Sequence, residues 1–371
     1  MIVTVTLNPA LDLTYAVDAL VPHGTHRVTT VAERPGGKGL NVARVLHALG
    51  EPVLATGLLG GTTGGRVAAL LRGEGVAASF VDIAGETRRT VAVVDRADAT
   101  GFWEPGPTIT EAEWSRFADH FRGLLREASV VTLSGSLPPG LPASAYAHLI
   151  AYAREAGVPT LLDTSGAALR HGLLAGPALA KPNADELAAL LAPPESHDRP
   201  GHLPPPESHD RPGLLPPPGS HDRADAAGPG APGPAPTEVG GAAAGLVALV
   251  RAVAGGPVVV SRGAAGLLAI AGDEVWECVP PVALDGNPTG AGDACVAALA
   301  RGLRDRTAWP DLLADAVALS AAAVAVPVAG AFDPETYRRT FAIARPLPSA
   351  RGGTAEIPGT ASGGSRARTH R

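Results

Sequence analysis

Residues 287–303 read NPTGAGDACVAALARGL, a turn of small residues followed by a helical pattern. Gly290, Ala291 and Gly292 are too small to block an approaching group, and the unpaired N–H groups and positive dipole end of the next helix converge on them. Such a turn holds an anion. Asp293 follows at once. A carboxylate beside an anion pocket is poorly placed to bind phosphate and well placed to take a proton from a hydroxyl attacking it. From these residues alone, a helix-capping Asp after a glycine turn is the competing reading.

The device recurs near the other end of the chain, where residues 35–50 read PGGKGLNVARVLHALG. Gly36, Gly37 and Gly39 let the backbone approach a ligand closely, Lys38 offers a mobile point charge, and Asn41 offers both donor and acceptor. That set suits a sugar carrying a phosphate; a tight glycine loop before an amphipathic helix is the plainer alternative. Neither segment is a Walker A sequence or a GxGxxG dinucleotide turn.

Around these segments the composition sets limits. The chain has 371 residues, 45% hydrophobic and 18% charged, enough for a large core, yet 46 Gly and 36 Pro are too many for one uniformly folded body. A net charge of −6 gives no reason to expect a nucleic-acid partner. Two cysteines, Cys278 and Cys295, exclude a disulfide framework and suit a reducing, cytoplasmic setting. The opening MIVTVTLNPALDLTY alternates like a strand and is not a signal peptide, and no apolar run is long enough to span a bilayer.

Fourteen of the 36 prolines fall within 193–236, where SHDR recurs at Ser196, Ser208 and Ser220 with a strict period of 12. A repeat so poor in aliphatic residues cannot offset its ordering entropy and reads as a disordered insertion. Its His-Asp pairs are a weak candidate for metal binding against a solvated linker. The tail 346–371 also reads as disordered. In the remaining body, 1–345, IVTVTL, VVTLSG, TLLDTS, ALAKPN and PVVVSRG read as buried parallel strands. They alternate with seven helical runs, which predicts a three-layer α/β/α fold around a mainly parallel sheet. Two β-like segments without following helices, 14–33 and 87–103, predict a small separate sheet acting as a lid. Polar residues gather at strand ends, where ligands bind in such sheets: Asn8, Asp12, Ser134, Ser136, Asp163, Asn183 and Ser261.

Together the two glycine segments resemble the paired signatures of the ribokinase-like, or PfkB, carbohydrate kinases. GGKGLNVA matches the N-terminal signature and NPTGAGDA the C-terminal one. TLNPALD, ATGLLGG, GETRRTVAV, SGSLPPG, LDTSG, KPNADEL and VVVSRGAAG follow in order, so the resemblance spans residues 1 to about 340 apart from the insertion. Within the family the chain is similar to the phosphosugar branch of 1-phosphofructokinases, tagatose-6-phosphate kinases and minor 6-phosphofructokinases.

The resemblance implies ATP-dependent phosphorylation of a ketohexose phosphate, fructose 1-phosphate first, with tagatose 6-phosphate or fructose 6-phosphate as runner-up. It implies sugar binding by Asp12, Gly36, Gly37, Lys38, Asn41, Ser134 and Gly135, with Arg88 and Lys38 on the existing phosphate. Asp293 is the implied catalytic base and Gly290, Ala291 and Gly292 the anion hole. Asn183 and Glu186, spaced NxxE, would organise Mg²⁺ and the ATP phosphates through water, with Lys181, Ser261, Gly263 and Gly266 on the nucleotide. Taken alone, Asn183 and Glu186 are a helix N-terminus with an acidic first turn, and Arg88 is an edge-strand surface charge. Thr90 departs from the Asn common in 1-phosphofructokinases. A lid with unpaired edges and an apolar face predicts a homodimer. The rival from another class is a non-catalytic sugar-phosphate sensor, which has no need of a proton acceptor beside an anion hole.

Overall fold

The structure, a computed structural model, describes residues 1–96, 98–190, 237–282 and 286–348. The chain opens with β1 (Ile2–Thr6) and passes into β2 (Ala10–Ala16) and β3 (Thr30–Gly36), then α1 (Lys38–Ala48), β4 (Val53–Gly60), α2 (Gly61–Gly73) and β5 (Ala78–Ile83). Next come β6 (Arg88–Val94), β7 (Ala99–Trp103), α3 (Glu111–Leu124), β8 (Val130–Ser134), α4 (Ala145–Glu155), β9 (Thr160–Asp163), α5 (Gly166–Leu174), β10 (Leu179–Ala180) and α6 (Ala184–Ala189). Beyond the segment 191–236 lie α7 (Thr237–Val253), β11 (Val258–Ser261), β12 (Leu267–Ala271), β13 (Glu274–Cys278), α8 (Ala291–Asp305), α9 (Trp309–Val324), α10 (Pro334–Ile343) and β14 (Leu347–Pro348).

Ten strands form one sheet in the order β14-β13-β12-β11-β10-β9-β8-β1-β4-β5. From β5 to β11 every pairing is parallel, and the β11–β14 end is antiparallel. Alternation along each strand divides the core. Ile2, Val130 and Leu161 face α1, α8 and α9, while Val3, Val131 and Leu162 face α3, α4 and α5. This is the expected three-layer α/β/α arrangement. Four strands form the expected separate sheet, ordered β3-β2-β6-β7. It starts at Ala10 rather than 14, because β2 leaves β1 across only Leu7–Pro9.

Two expectations are corrected. Arg88 is not on an edge strand, since β6 is flanked by β2 and β7. Leu347 and Pro348, read from sequence as tail, pair with Glu277 and Trp276 of β13. The insertion 193–236, with its His-Asp pairs, and residues 349–371 lie outside the described residues.

Helix α8, which carries Asp293, is clamped at its far end. Arg301 donates to both oxygens of Asp315 at 2.7 Å and to the Tyr337 hydroxyl at 2.8 Å, while Arg304 pairs with Glu51. Burial opposes the Arg301 charge, but Asp315 and Tyr337 outweigh it and hold the guanidinium above its ordinary value. None of the described helices is long and apolar enough to cross a membrane.

Candidate active site

Site residues meet where the C-terminal ends of the central strands face α1 and α8. Gly290 adopts φ 86°, a left-handed turn that starts α8, and a Cβ there would fall 2.8 Å from the Ala329 Cα. Only glycine fits. At Gly292, by contrast, a Cβ would meet nothing nearer than the Lys181 Nζ at 3.8 Å. The first turn of α8 therefore opens onto space edged by an ammonium, as an anion cradle requires.

Asp293 is buried, and one of its oxygens accepts a 2.8 Å hydrogen bond from Asn41 Nδ2, 252 residues away in sequence. The two glycine signatures thus touch through their functional side chains. Asn41 Oδ1 is buried without a partner, which leaves an acceptor for a ligand hydroxyl.

Lys38 opens α1, with its Nζ 3.7 Å from Glu186 Oε1. Sequence grouped Lys38 with Arg88; the structure sets it beside a member of the expected nucleotide group. Gly135 is close by, its hypothetical Cβ 3.8 Å from Lys38 Cβ, and its carbonyl accepts from the Tyr146 and Thr164 hydroxyls. Ser134 Oγ is buried with no partner.

Asn183 and Glu186 form a full capping box on α6: Glu186 N–H donates to Asn183 Oδ1 and Asn183 N–H to Glu186 Oε2, both at 2.7 Å. The helix-terminus reading is therefore true of these residues, and it leaves Glu186 Oε1 turned to Lys38. Burial pushes the Glu186 carboxyl above the usual range, although Lys38 and Lys181 pull the other way. Lys181 sits 3.1 Å from Asp163 at the end of β9, and both are buried. Burial disfavours its charge, but Asp163 and Glu186 outweigh that and hold the ammonium above its ordinary value. Ser261 bridges to Asn183 at the end of β11, while Gly263 and Gly266 shape the turn into β12.

On the small sheet, Asp12 accepts from the Thr90 hydroxyl, and a Cβ on Gly36 would lie 2.1 Å from its carboxyl. Arg88 donates to the carbonyls of Asn8 and Glu104 at 3.1 and 3.3 Å.

Comparison with known proteins identifies the family and the fold. The sequence profile of the pfkB family of carbohydrate kinases matches residues 5–200 and 237–336. The chain belongs to that family. It is a sugar kinase, a phosphotransferase with phosphofructokinase-like architecture. Phosphofructokinase-2 of Escherichia coli, solved in complex with potassium, is 27% identical over 92% of this chain and 98% of its own, with a TM-score of 0.73. The same enzyme in complex with fructose-6-phosphate superposes with a TM-score of 0.71. A possible 1-phosphofructokinase of Thermotoga maritima, 22% identical over 94% of this chain and 99% of its own, has a TM-score of 0.72 and shows the shared fold.

Asp163 is legible in the sequence only as a strand-end polar group; Arg44 lies within the quoted stretch 35–50, but nothing there gives it a role, and Ala329 and Gly330 stand in no motif. Burial and then the charge of Arg44 depress the half-buried Arg34 guanidinium below its ordinary value, against the pull of Glu74. A cavity of ≈ 560 Å³ lies elsewhere, between α2 and β5, lined by Leu59, Arg72, Phe80 and Asp82; no expected site residue borders it.

Proposed function

We propose that this kinase transfers the γ-phosphoryl group of ATP to a hydroxyl of a phosphorylated ketohexose, with fructose 1-phosphate as the first acceptor and tagatose 6-phosphate or fructose 6-phosphate as the second. One observation carries the reading. The Asp293 carboxylate directly follows the Gly290–Gly292 turn and is held by Asn41 of the opposite signature. The acceptor hydroxyl gives its proton to Asp293 as its oxygen forms the new P–O bond. The bond from the γ-phosphorus to the bridging oxygen breaks, and ADP leaves.

Lys181, at the mouth of the anion turn, stabilises the transferred charge, and Lys38 stands between acceptor and donor. Asp12 and the unpartnered Asn41 Oδ1 take sugar hydroxyls, and Arg88 takes the existing phosphate. The E. coli enzyme's complex with fructose-6-phosphate supports the phosphoketohexose class.

Among the described residues no group of three or more His, Cys, Asp or Glu could hold a metal. Glu186 contributes one carboxylate oxygen, Oε1, that its capping box leaves uncommitted. That donor set fits Mg²⁺, which binds through one or two carboxylates plus substrate phosphates and water. Asn183 and Glu186 would hold it, and it would supply charge neutralisation for the phosphates.

An ADP-release assay with the three sugar phosphates, run on wild type and Asp293→Asn, tests the proposal. The substitution should cut kcat by about two to four orders of magnitude while sugar-phosphate affinity stays within a few-fold. Near wild-type turnover in Asp293→Asn removes the base from its role. Turnover of unphosphorylated ketohexose alone refutes the phosphosugar assignment.

The small sheet supports a further part of the reading. Strand register puts Val31 and Phe102 on the face opposite Asp12, and they are 56% and 58% exposed. Two copies covering these faces form a homodimer.

A further inference from the structure

Arg44 lies on α1, one helical turn beyond Asn41, and its side chain is buried. Its Nε donates to Glu74 Oε2 at 2.6 Å and its Nη1 to the Ala329 carbonyl at 2.9 Å. Glu74 caps the C-terminal end of α2 and is itself partly exposed. The guanidinium is thus neutralised from the periphery while its second arm reaches inward to the segment 325–333, between α9 and α10.

That segment is one peptide thick where it matters. On one side, a Cβ on Gly330 would fall 2.5 Å from Arg44 Nη1 and 3.1 Å from Asn41 Oδ1. On the other, a Cβ on Gly290 would fall 2.8 Å from Ala329 Cα and 3.3 Å from Gly330 N. The Ala329–Gly330 peptide is therefore held between the α1 side chains and the anion turn. Asn287, just before the turn, ties into the end of α9 and the same segment: its N–H donates to the Val324 carbonyl at 3.0 Å and its Nδ2 to that of Pro327 at 3.2 Å. Close packing leaves no slack to absorb a shift of this peptide.

We propose that Arg44 is a positioning residue for phosphoryl transfer. It fixes the Ala329–Gly330 peptide, and through it the Gly290–Gly292 turn against which the nucleotide phosphate and Asp293 must align. Arg44 touches no reacting atom. A guanidinium is suited to the task because its planar fork serves two separated acceptors from two nitrogens held at fixed spacing, whereas an ammonium donates from a single nitrogen. The inference rests on the anion-turn reading and leaves the identity of the sugar open.

The test is Arg44→Met, with Arg44→Lys and Glu74→Gln beside it, read by steady-state kinetics, thermal unfolding and calorimetric titration with a non-hydrolysable ATP analogue. For Arg44→Met, analogue affinity and kcat should each fall by about tenfold or more, the scale of a lost charge-assisted hydrogen bond, while KM for the sugar phosphate moves by no more than about threefold. Arg44→Lys should recover Tm more fully than kcat, because it restores the buried charge but a single nitrogen cannot occupy both the Nε and Nη1 positions. Glu74→Gln keeps an acceptor for Nε and should stay near wild type in kcat. Unchanged kcat and analogue affinity in folded Arg44→Met overturn the proposal, as does an equal rise in sugar KM. If Arg44→Met does not fold, the same split read on Arg44→Lys decides. A wild type inactive on all three sugars would refute the phosphosugar reading alone, since analogue titration needs no acceptor.

Discussion

Replacing Asn41 by Leu removes the 2.8 Å hydrogen bond to Asp293 at nearly constant volume. A hydrogen bond to a charged group contributes about 1.5–3 kcal/mol, so kcat should fall by about ten- to 150-fold if the bond orients the carboxylate for proton transfer. In the Asp293→Asn background the same substitution should cost far less, because the group it positions is already gone. Tm should fall modestly: the buried Asp293 oxygen loses a donor, while the deletion of Asn41 Oδ1, a buried acceptor with no partner, offsets part of that cost. KM for the sugar should rise by about two- to tenfold for the loss of one neutral hydrogen bond to a hydroxyl. The assay is steady-state kinetics on the two single variants and the double variant, beside thermal melts. A folded Asn41→Leu enzyme with kcat within twofold of wild type, or one whose loss simply multiplies with that of Asp293→Asn, would refute the link between the two signatures.

Two glycines of the same motifs should respond in opposite ways. Gly292→Ala meets nothing closer than 3.8 Å and should keep its Tm, yet its methyl group intrudes on the anion turn and should raise KM for ATP. Gly39→Ala would place a Cβ 2.4 Å from Thr6 Oγ1 and 2.8 Å from the Val5 carbonyl, so it should lower Tm markedly with the nucleotide site chemically intact; thermal melts and ATP titrations distinguish the two. Phe102→Glu should convert a dimer to monomer in sedimentation experiments, and an unchanged species would move the interface away from the small sheet.

The sequence was most readable where local chemistry decides the outcome. β1, β8, β9 and β11 announce themselves as continuous apolar runs because both faces are covered. α9 escaped for the complementary reason: residues 309–324 are buried on nearly every side between α8 and α10, so no polar face marks the helical period. The glycine signatures could be read because close approach demands small residues at fixed spacing. Their joining was beyond reach, since nothing local says that Asn41 will meet Asp293 or that Lys38 will face Glu186. Nothing local marks Arg44 either; only the tertiary packing of 325–333 reveals what its guanidinium holds.

The elements divide the labour of the site in a way that links kinetics to topology. Gly290, Gly292 and Asp293 lie within four consecutive residues at the start of α8, so covalent geometry fixes the distance between the glycine turn and the proposed base, and the clamp of Arg301 and Arg304 fixes the helix. Asn41 joins them from α1, which packs directly on α8. The acceptor contacts proposed for Asp12 and Arg88 lie instead on the small sheet, a separate set of strands reached by short connections. On that proposal, a shift of the sheet would displace the sugar without disturbing Asp293 or the turn before it. Substitutions there should appear mainly in KM for the acceptor, since they act on ground state and transition state alike, whereas substitutions on α8 and the α1 residues that hold it should appear in kcat.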